Sequence, residues 1–449
     1  MHERTQRAIA RLMFVFCCAV PTCLTFLCIL VTWTPWHHHR TLRAIEARLS
    51  QSTGLQIEID DFQRSSPSTL ELFSVRVVEP ESQNEVARVR EIQWVDDGKR
   101  VSILLQQPEV RSRELRSVWD LLHDRFLCRP DQTSLPVRAA ANDLTIHSRT
   151  GDLTFTDIDA WIRQGDRTIE ATIEGLPANT RSDSPVSVSV LRDRNQDLPS
   201  TQWTLDTRGT ALPCSAVAEF IPQMEGLGTD AEYTGTMRWQ IDAETWSVDL
   251  SGSSFSQISL DRLFERHTHR LTGSATLWLE RCRIEPQMRR SDIAGSIVAR
   301  DGMVGRSLLH SCQQHFGFQL RLPTPLIDRQ DDSVPFDRLA VGFNVNNTQL
   351  ELNGICRSER GYEGFPSDVA LCLDGYPLVF STDGTLDSLK VITAIAPAHS
   401  VLIPMSDQTR WLTKVFIPPS RPLPHPNAQP PRIRSAENFR GGPTISQPR

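Results

Sequence analysis

Apolar and polar residues alternate with a period of two over most of the chain, the pattern of strands with one buried face. Leu55, Ile57 and Ile59 alternate with polar neighbours, as do Val75 and Val77, Ile92 and Trp94, and Leu144 and Ile146. The same spacing returns at Ile158, Ala160 and Ile162, at Ile169, Ala171 and Ile173, and at Val186, Val188 and Val190. It continues through Trp203 and Leu205, Met237 and Trp239, Val248 and Leu250, Leu277 and Leu279, and Val341, Phe343 and Val345. Turn-forming stretches such as SRTGD and NVNNT separate these runs. A run of such strands reads as a long antiparallel meander, apolar on one side and polar on the other. With no second layer evident to cover the apolar side, the sheet is expected to curl on itself into a groove.

Three segments depart from that period. Leu12 to Trp33 is a run of 22 residues without a charge. As a helix it would reach about 33 Å, enough for a hydrocarbon core of about 30 Å. Its length, and the absence of a small-residue cleavage site before TPWHHHR, favour an uncleaved signal-anchor over a signal peptide. Leu12, Phe14, Phe16, Leu24, Phe26, Leu27, Ile29, Leu30, Val31 and Trp33 would face lipid. Arginines flank the run almost equally, so charge does not orient it. Leu42, Ile45 and Leu49 then predict a juxtamembrane helix ending at Gly54. Further on, Glu114–Phe126 carries Leu115, Val118, Trp119, Leu122 and Phe126 at helical spacing. Shorter helices are expected near Leu260–Phe264 and after Gly305.

The predicted organisation is therefore a mainly β protein in six parts. A short tail (1–11) precedes a transmembrane anchor (12–33) and a juxtamembrane helix (34–54). Two β regions follow, an N-terminal groove region (55–250) and a C-terminal one (251–417). The last part (418–449) has nine prolines and no period, and is expected to be extended or disordered.

Composition narrows the function. The formal net charge is −6 and positive charge is nearly all arginine without a basic stripe, which argues against nucleic acid as a partner. The ten cysteines form no C-x-x-C pair, so a zinc ribbon or thioredoxin-like site has no support. The scattered ones permit disulfides if the domain lies outside the cytoplasm. There is no G-x-S-x-G elbow, no phosphate-binding glycine loop and no H-E-x-x-H motif. His37–His39, His267 with His269, and Asp157 with Asp159 are read as surface groups rather than metal or acid/base pairs. Asn346–Asn347–Thr348 reads as a hairpin turn. No enzyme, metal or cofactor is expected.

Two stretches carry a resemblance. Gly54, Ile57, Ile59, Val75, Val77, Pro80, Ala87, Arg88, Val89 and Ile92 match the order of residues after the anchor in AsmA-family proteins. Leu260, Leu263, Leu271, Gly273, Leu277, Leu279, Ile293, Gly295, Asp301, Gly302, Gly305 and Leu308 resemble that family's C-terminal region. Pro335, Phe336, Leu339, Phe343, Val345 and Leu350 extend the likeness. The chain is shorter than typical members, and its proline-rich end is not part of their pattern. The resemblance implies a repeating β-groove protein anchored in the bacterial inner membrane, with the bulk of the chain in the periplasm. It implies phospholipid handling and support of outer-membrane assembly. The expected partners are membrane lipids, the inner membrane and other envelope proteins. Candidate groove-lining residues are Ile57, Ile59, Val75, Val77, Ile92, Trp94, Trp239, Val248, Leu277, Leu279, Val341, Phe343 and Val345. The alternative is a non-enzymatic anchored scaffold for envelope protein assembly, whose inward tryptophans pack the face shut.

Overall fold

The computed structural model describes residues 12–32, 35–128, 135–149, 151–178, 184–195, 198–218, 222–242, 245–265, 267–288, 290–327 and 331–395. The tail 1–11, Trp33 and the proline-rich segment 418–449 lie outside these, as do the side chains of Ile29, Val31 and Phe126.

The chain is mainly β, as its alternation predicts. The first group of strands is β1 (Gln56–Glu58), β2 (Asp61–Ser66), β3 (Thr69–Val78), β4 (Glu85–Asp96) and β5 (Val101–Arg111). β6 (Val137–Ser148), β7 (Gly151–Gln164), β8 (Thr168–Pro177), β9 (Val186–Asp193) and β10 (Ser200–Asp206) form the second. β11 (Leu212–Pro213), β12 (Glu232–Thr234), β13 (Thr236–Ile241), β14 (Trp246–Asp249), β15 (Ser253–Ser259), β16 (Ser274–Glu285) and β17 (Arg290–Gly305) follow. β18 (Gln319–Leu320), β19 (Ser333–Asn346), β20 (Gln349–Gly354), β21 (Val369–Leu373), β22 (Tyr376–Phe380) and β23 (Thr385–Asp387) complete the set.

All of them belong to one sheet. β3 pairs with β4, β4 with β5, and each strand from β6 to β10 with the next. The ladder passes residue 250 without a break, through β10–β13, β13–β14, β14–β16, β16–β17 and β17–β19. About fifteen strand-to-strand steps of about 4.8 Å give a ladder of roughly 70 Å. The Asn346–Thr348 turn is a hairpin, with Asn347 in the left-handed region at φ 57°.

Two features correct the expected curled antiparallel sheet. First, β5 and β6 run parallel, with Val101 opposite Val137 and Arg111 opposite His147. A parallel joint needs a connection that crosses a face of the sheet. A 3₁₀ turn (Ser112–Glu114), an α-helix (Leu115–Leu121) and a π-helical turn (Leu122–Leu127) begin that connection. Second, the sheet is open: no pairing joins its first strands to its last among the described residues. It has no need to close on itself, because helices cover much of its apolar side. Leu42, Ile45 and Leu49 of the helix Pro35–Thr53 pack on Ile59, Leu72, Val75 and Val89. Trp119, Leu122 and Leu127 of the crossing segment pack on Ile162, Ile169, Ala171, Val190 and Trp203. Leu308, Leu309 and Phe316 of the helix Arg306–Phe316, with Ala394, close the C-terminal core. Gly317, at φ 73°, ends that helix by returning its N–H to the carbonyls of Cys312 and Gln313.

At the N-terminus a π-helical turn (Val15–Ala19) leads into an α-helix (Val20–Thr32). The wide turn follows from Pro21. Proline has no N–H to give to residue 17, and its ring would meet that carbonyl in a regular helix. Val20 instead bonds back five residues to Val15. Among the described residues, no single helix is long and apolar enough to cross a membrane.

Candidate functional site

Pairing register shows what the apolar face holds. One row crosses nine neighbouring strands from β3 to β13: Leu70, Trp94, Ile103, Ala139, Ala160, Ile173, Val188, Leu205 and Met237. The next row runs Val101, Val137, Ile162, Ala171, Val190, Trp203, Trp239, Val248 and Ile284. Directly opposed residues share a face, so both rows are unbroken apolar stripes on one side. The interleaved row on the other side reads Ser102, Arg138, Trp161, Thr172, Ser189, Thr204, Arg238 and Asp249.

Along this face, cover is uneven. The sequence-predicted residues Ile57, Ile59, Val75, Val77, Ile92 and Trp94 lie at its first end; Ile59 and Val75 are buried beneath the helix Pro35–Thr53. Leu277, Leu279, Val341, Phe343 and Val345 lie at the other end, where Leu279 and Val345 are buried and Leu277, Val341 and Phe343 pack against the closed core. Between these ends the face opens. Ile173 keeps 38% of its surface exposed and Trp239 37%, although both sit on the apolar stripes. Val248 is half-buried beside Trp239. The ring of Trp203 is capped by Trp119 at 4.0 Å between centroids. The structure thus places all thirteen predicted residues on one face; in its middle the crossing segment covers Ala171 and Val190, while Ile173 and Trp239 are left open.

Four left-handed residues help to keep the stripes continuous, two of them, Asp157 and Gln257, at bulges where the register shifts. Ser74, Gln107, Asp157 and Gln257 adopt left-handed backbone angles of φ 52°, 48°, 52° and 56°. Three of them let Leu72 and Val75, Phe155 and Ile158, and Phe255 and Ile258, spaced by three rather than two, point to the same side. Strict alternation misses this. The signal was a slip of phase in the apolar period.

The polar face carries ion pairs and a shallow cleft of about 540 Å³ lined by Asn84, Glu85, Arg88, Glu109, Arg111, Glu114 and His147. Its charges are largely matched: Arg88 lies 2.9 Å from Glu85, and His147 3.6 Å from Glu109. Such exposed pairs contribute little individually. Asp159, one of the two carboxylates singled out from sequence, is claimed by Arg138 at 2.9 Å and Trp161 at 3.1 Å. The hydrogen bond from Arg138 holds its carboxyl below the ordinary range. Asp157 occupies a bulge position instead of facing Asp159 as an acid/base partner. His38 stacks on Phe62 and shares a 2.8 Å contact with Asp61, so it anchors the helix Pro35–Thr53 to β2. No cluster of three metal-ligating side chains occurs among the described residues.

His269 is a buried group, 6% exposed, and not the surface residue expected from sequence. Its Nδ1 shares a 2.9 Å hydrogen bond with Ser307. Burial pushes its pKa below the ordinary histidine value. A base whose folded pKa is depressed contributes stability above its unfolded pKa, near 6.5, and loses it as pH falls. Thermal melts from pH 7 to pH 5 should therefore show a drop in Tm that His269→Gln reduces. Parallel pH slopes in the two proteins would refute this.

No known family, characterised protein or solved structure matches the chain.

Proposed function

We propose that the open middle of the apolar face holds the acyl chains of phospholipid, and that the N-terminal helix tethers the sheet to a membrane. The carrying observation is the pair of unbroken apolar stripes, on which Ile173 and Trp239 stay over a third exposed beside the three helical covers. An exposed stripe of this kind is costly in water. An acyl chain laid along it gains about 0.8 kcal/mol per buried methylene. The N-terminal segment supports the tether. Phe14, Phe16, Leu24, Phe26, Leu27 and Leu30 are each at least half exposed, which suits lipid and not water. The α-helix Val20–Thr32 is short for a span. Counted with the turns before it, the helical run 12–32 reaches about 31 Å. In this reading the chain is an AsmA-like protein of the bacterial inner membrane facing the periplasm, and its ladder of about 70 Å suits local handing-on of lipid better than a bridge between two membranes.

A second reading is favoured by the two closed ends of the face. There the sheet would act as an anchored scaffold for other envelope proteins, with no lipid. Photo-cross-linking separates the two. A benzophenone amino acid at position 173 or 239 of the full chain, in native membranes, should capture phospholipid. The same probe at Trp278, exposed on the opposite face, should not. Lipid adducts from a probe at Phe26 alone would leave the scaffold.

A further inference from the structure

Five cysteines from Cys214 onward are buried or partly so, and two of them differ from the rest. Cys356 opens the 3₁₀ turn Cys356–Ser358, and Cys372 sits near the end of β21. Both side chains are fully buried, and both belong to one small contact cluster with Ala340, Val369 and Phe380. Cys372 Sγ also lies 3.7 Å from the carbonyl of Arg338, the residue directly opposite it on β19. That arginine is itself largely buried. Its guanidinium lies 3.5 Å from Glu359 and over the ring of Tyr362, and its Nε has no hydrogen-bond partner.

We propose that Cys356 and Cys372 are a redox-active pair that closes to a disulfide, locking the segment between them onto β19. The remaining partly or fully buried thiols contrast with this pair. Burial pushes Cys214 and Cys282 up to about 11, and Cys312 up to about 12, which leaves them inert near neutral pH. Cys372 moves the other way, lowered by the hydrogen bond from Cys356 and by the positive charge of Arg338, while the same hydrogen bond raises Cys356.

The reaction is thiol–disulfide exchange with a small-molecule or protein disulfide as oxidant. The Cys372 thiolate attacks the donor, forming a mixed disulfide and releasing one donor thiolate. Cys356 then gives up its proton and displaces the second donor thiol. Two cysteine thiols become one disulfide, and the donor disulfide becomes two thiols. Access comes through the segment 357–364, most of which is exposed. The bridge closes a loop of the length at which a disulfide restrains the unfolded chain substantially.

The test uses the full chain in detergent, equilibrated in oxidised and reduced glutathione buffers, denatured with N-ethylmaleimide and digested with trypsin without reductant. The oxidised sample should contain Leu339–Arg357 joined to Gly361–Lys390, a species that dithiothreitol splits. Its formation should raise Tm by about 5–10 °C over the reduced chain. Cys372→Ser should abolish both effects, and Cys214→Ser should leave them intact. Full alkylation of Cys356 and Cys372 at every glutathione ratio in the wild-type chain would overturn the proposal. So would cross-linked peptides in which other cysteines appear equally often.

Discussion

Phe336→Ala should destabilise the C-terminal half of the sheet by about 3–5 kcal/mol. Phe336 is the largest of the fully buried side chains, 2% exposed, and stands opposite Gly302 on β17. The fit is mutual. A Cβ built on Gly302 would lie 2.5 Å from the Phe336 ring and 2.1 Å from the carbonyl of Thr272. The glycine is therefore what lets the ring lie flat across the strand. Truncating the ring removes its contacts with Val334, Leu371 and the rest of the core cluster and leaves a cavity that the backbone cannot fill. Chemical denaturation followed by tryptophan fluorescence should show the loss, and Phe336→Leu should recover most of it. A cost below about 1 kcal/mol would mean that the helix Arg306–Phe316 and β19 are not packed as described.

The second large effect concerns lipid and not stability. Replacing Ile173 and Trp239 together by glutamate should reduce phospholipid capture at the apolar face at least about tenfold, because a buried acyl chain would then face two carboxylates. Both residues are over a third exposed, so the fold should lose no more than about 1 kcal/mol. Trp278→Glu, on the opposite face, serves as the control for added charge. Capture at position 188, directly opposite Ile173 on its stripe, reports the result with a benzophenone probe. Undiminished capture in the double variant would exclude the strip as the binding surface. The scaffold reading predicts no lipid at position 188 in any of these proteins.

Much of the fold was legible because period-two alternation follows directly from the geometry of a strand with one buried face. The rows through Ile162, Ala171, Val190 and Trp239 were visible as separate runs before any pairing was known. Two things were not. The left-handed positions Ser74, Asp157 and Gln257 use serine, aspartate and glutamine, none of them a turn residue as diagnostic as glycine, so only the three-residue step from Leu72 to Val75 betrayed the first. The parallel joint was also hidden. The segment Glu114–Phe126 was read as helical, but a helix between two strands is also the usual way to bring the second alongside the first in parallel. Reading it as a crossover would have placed its apolar side on the sheet. The expectation of curling failed for the same reason: Trp119, Leu122 and Leu127 cover part of the face that was assumed to be bare.

The parallel joint also sets the order in which the chain can assemble. From β3 to β5 each strand meets a partner that left the ribosome just before it, so this first meander is built from contacts close in sequence, the kind that form fast. β6 differs, since Val137 must return to Val101 across the whole crossing segment, and loop closure there is slower. Synthesis therefore passes through a stage in which β1–β5 have formed while β5 presents an unpaired edge, the very surface on which a chaperone or a second nascent copy can act until β6 arrives.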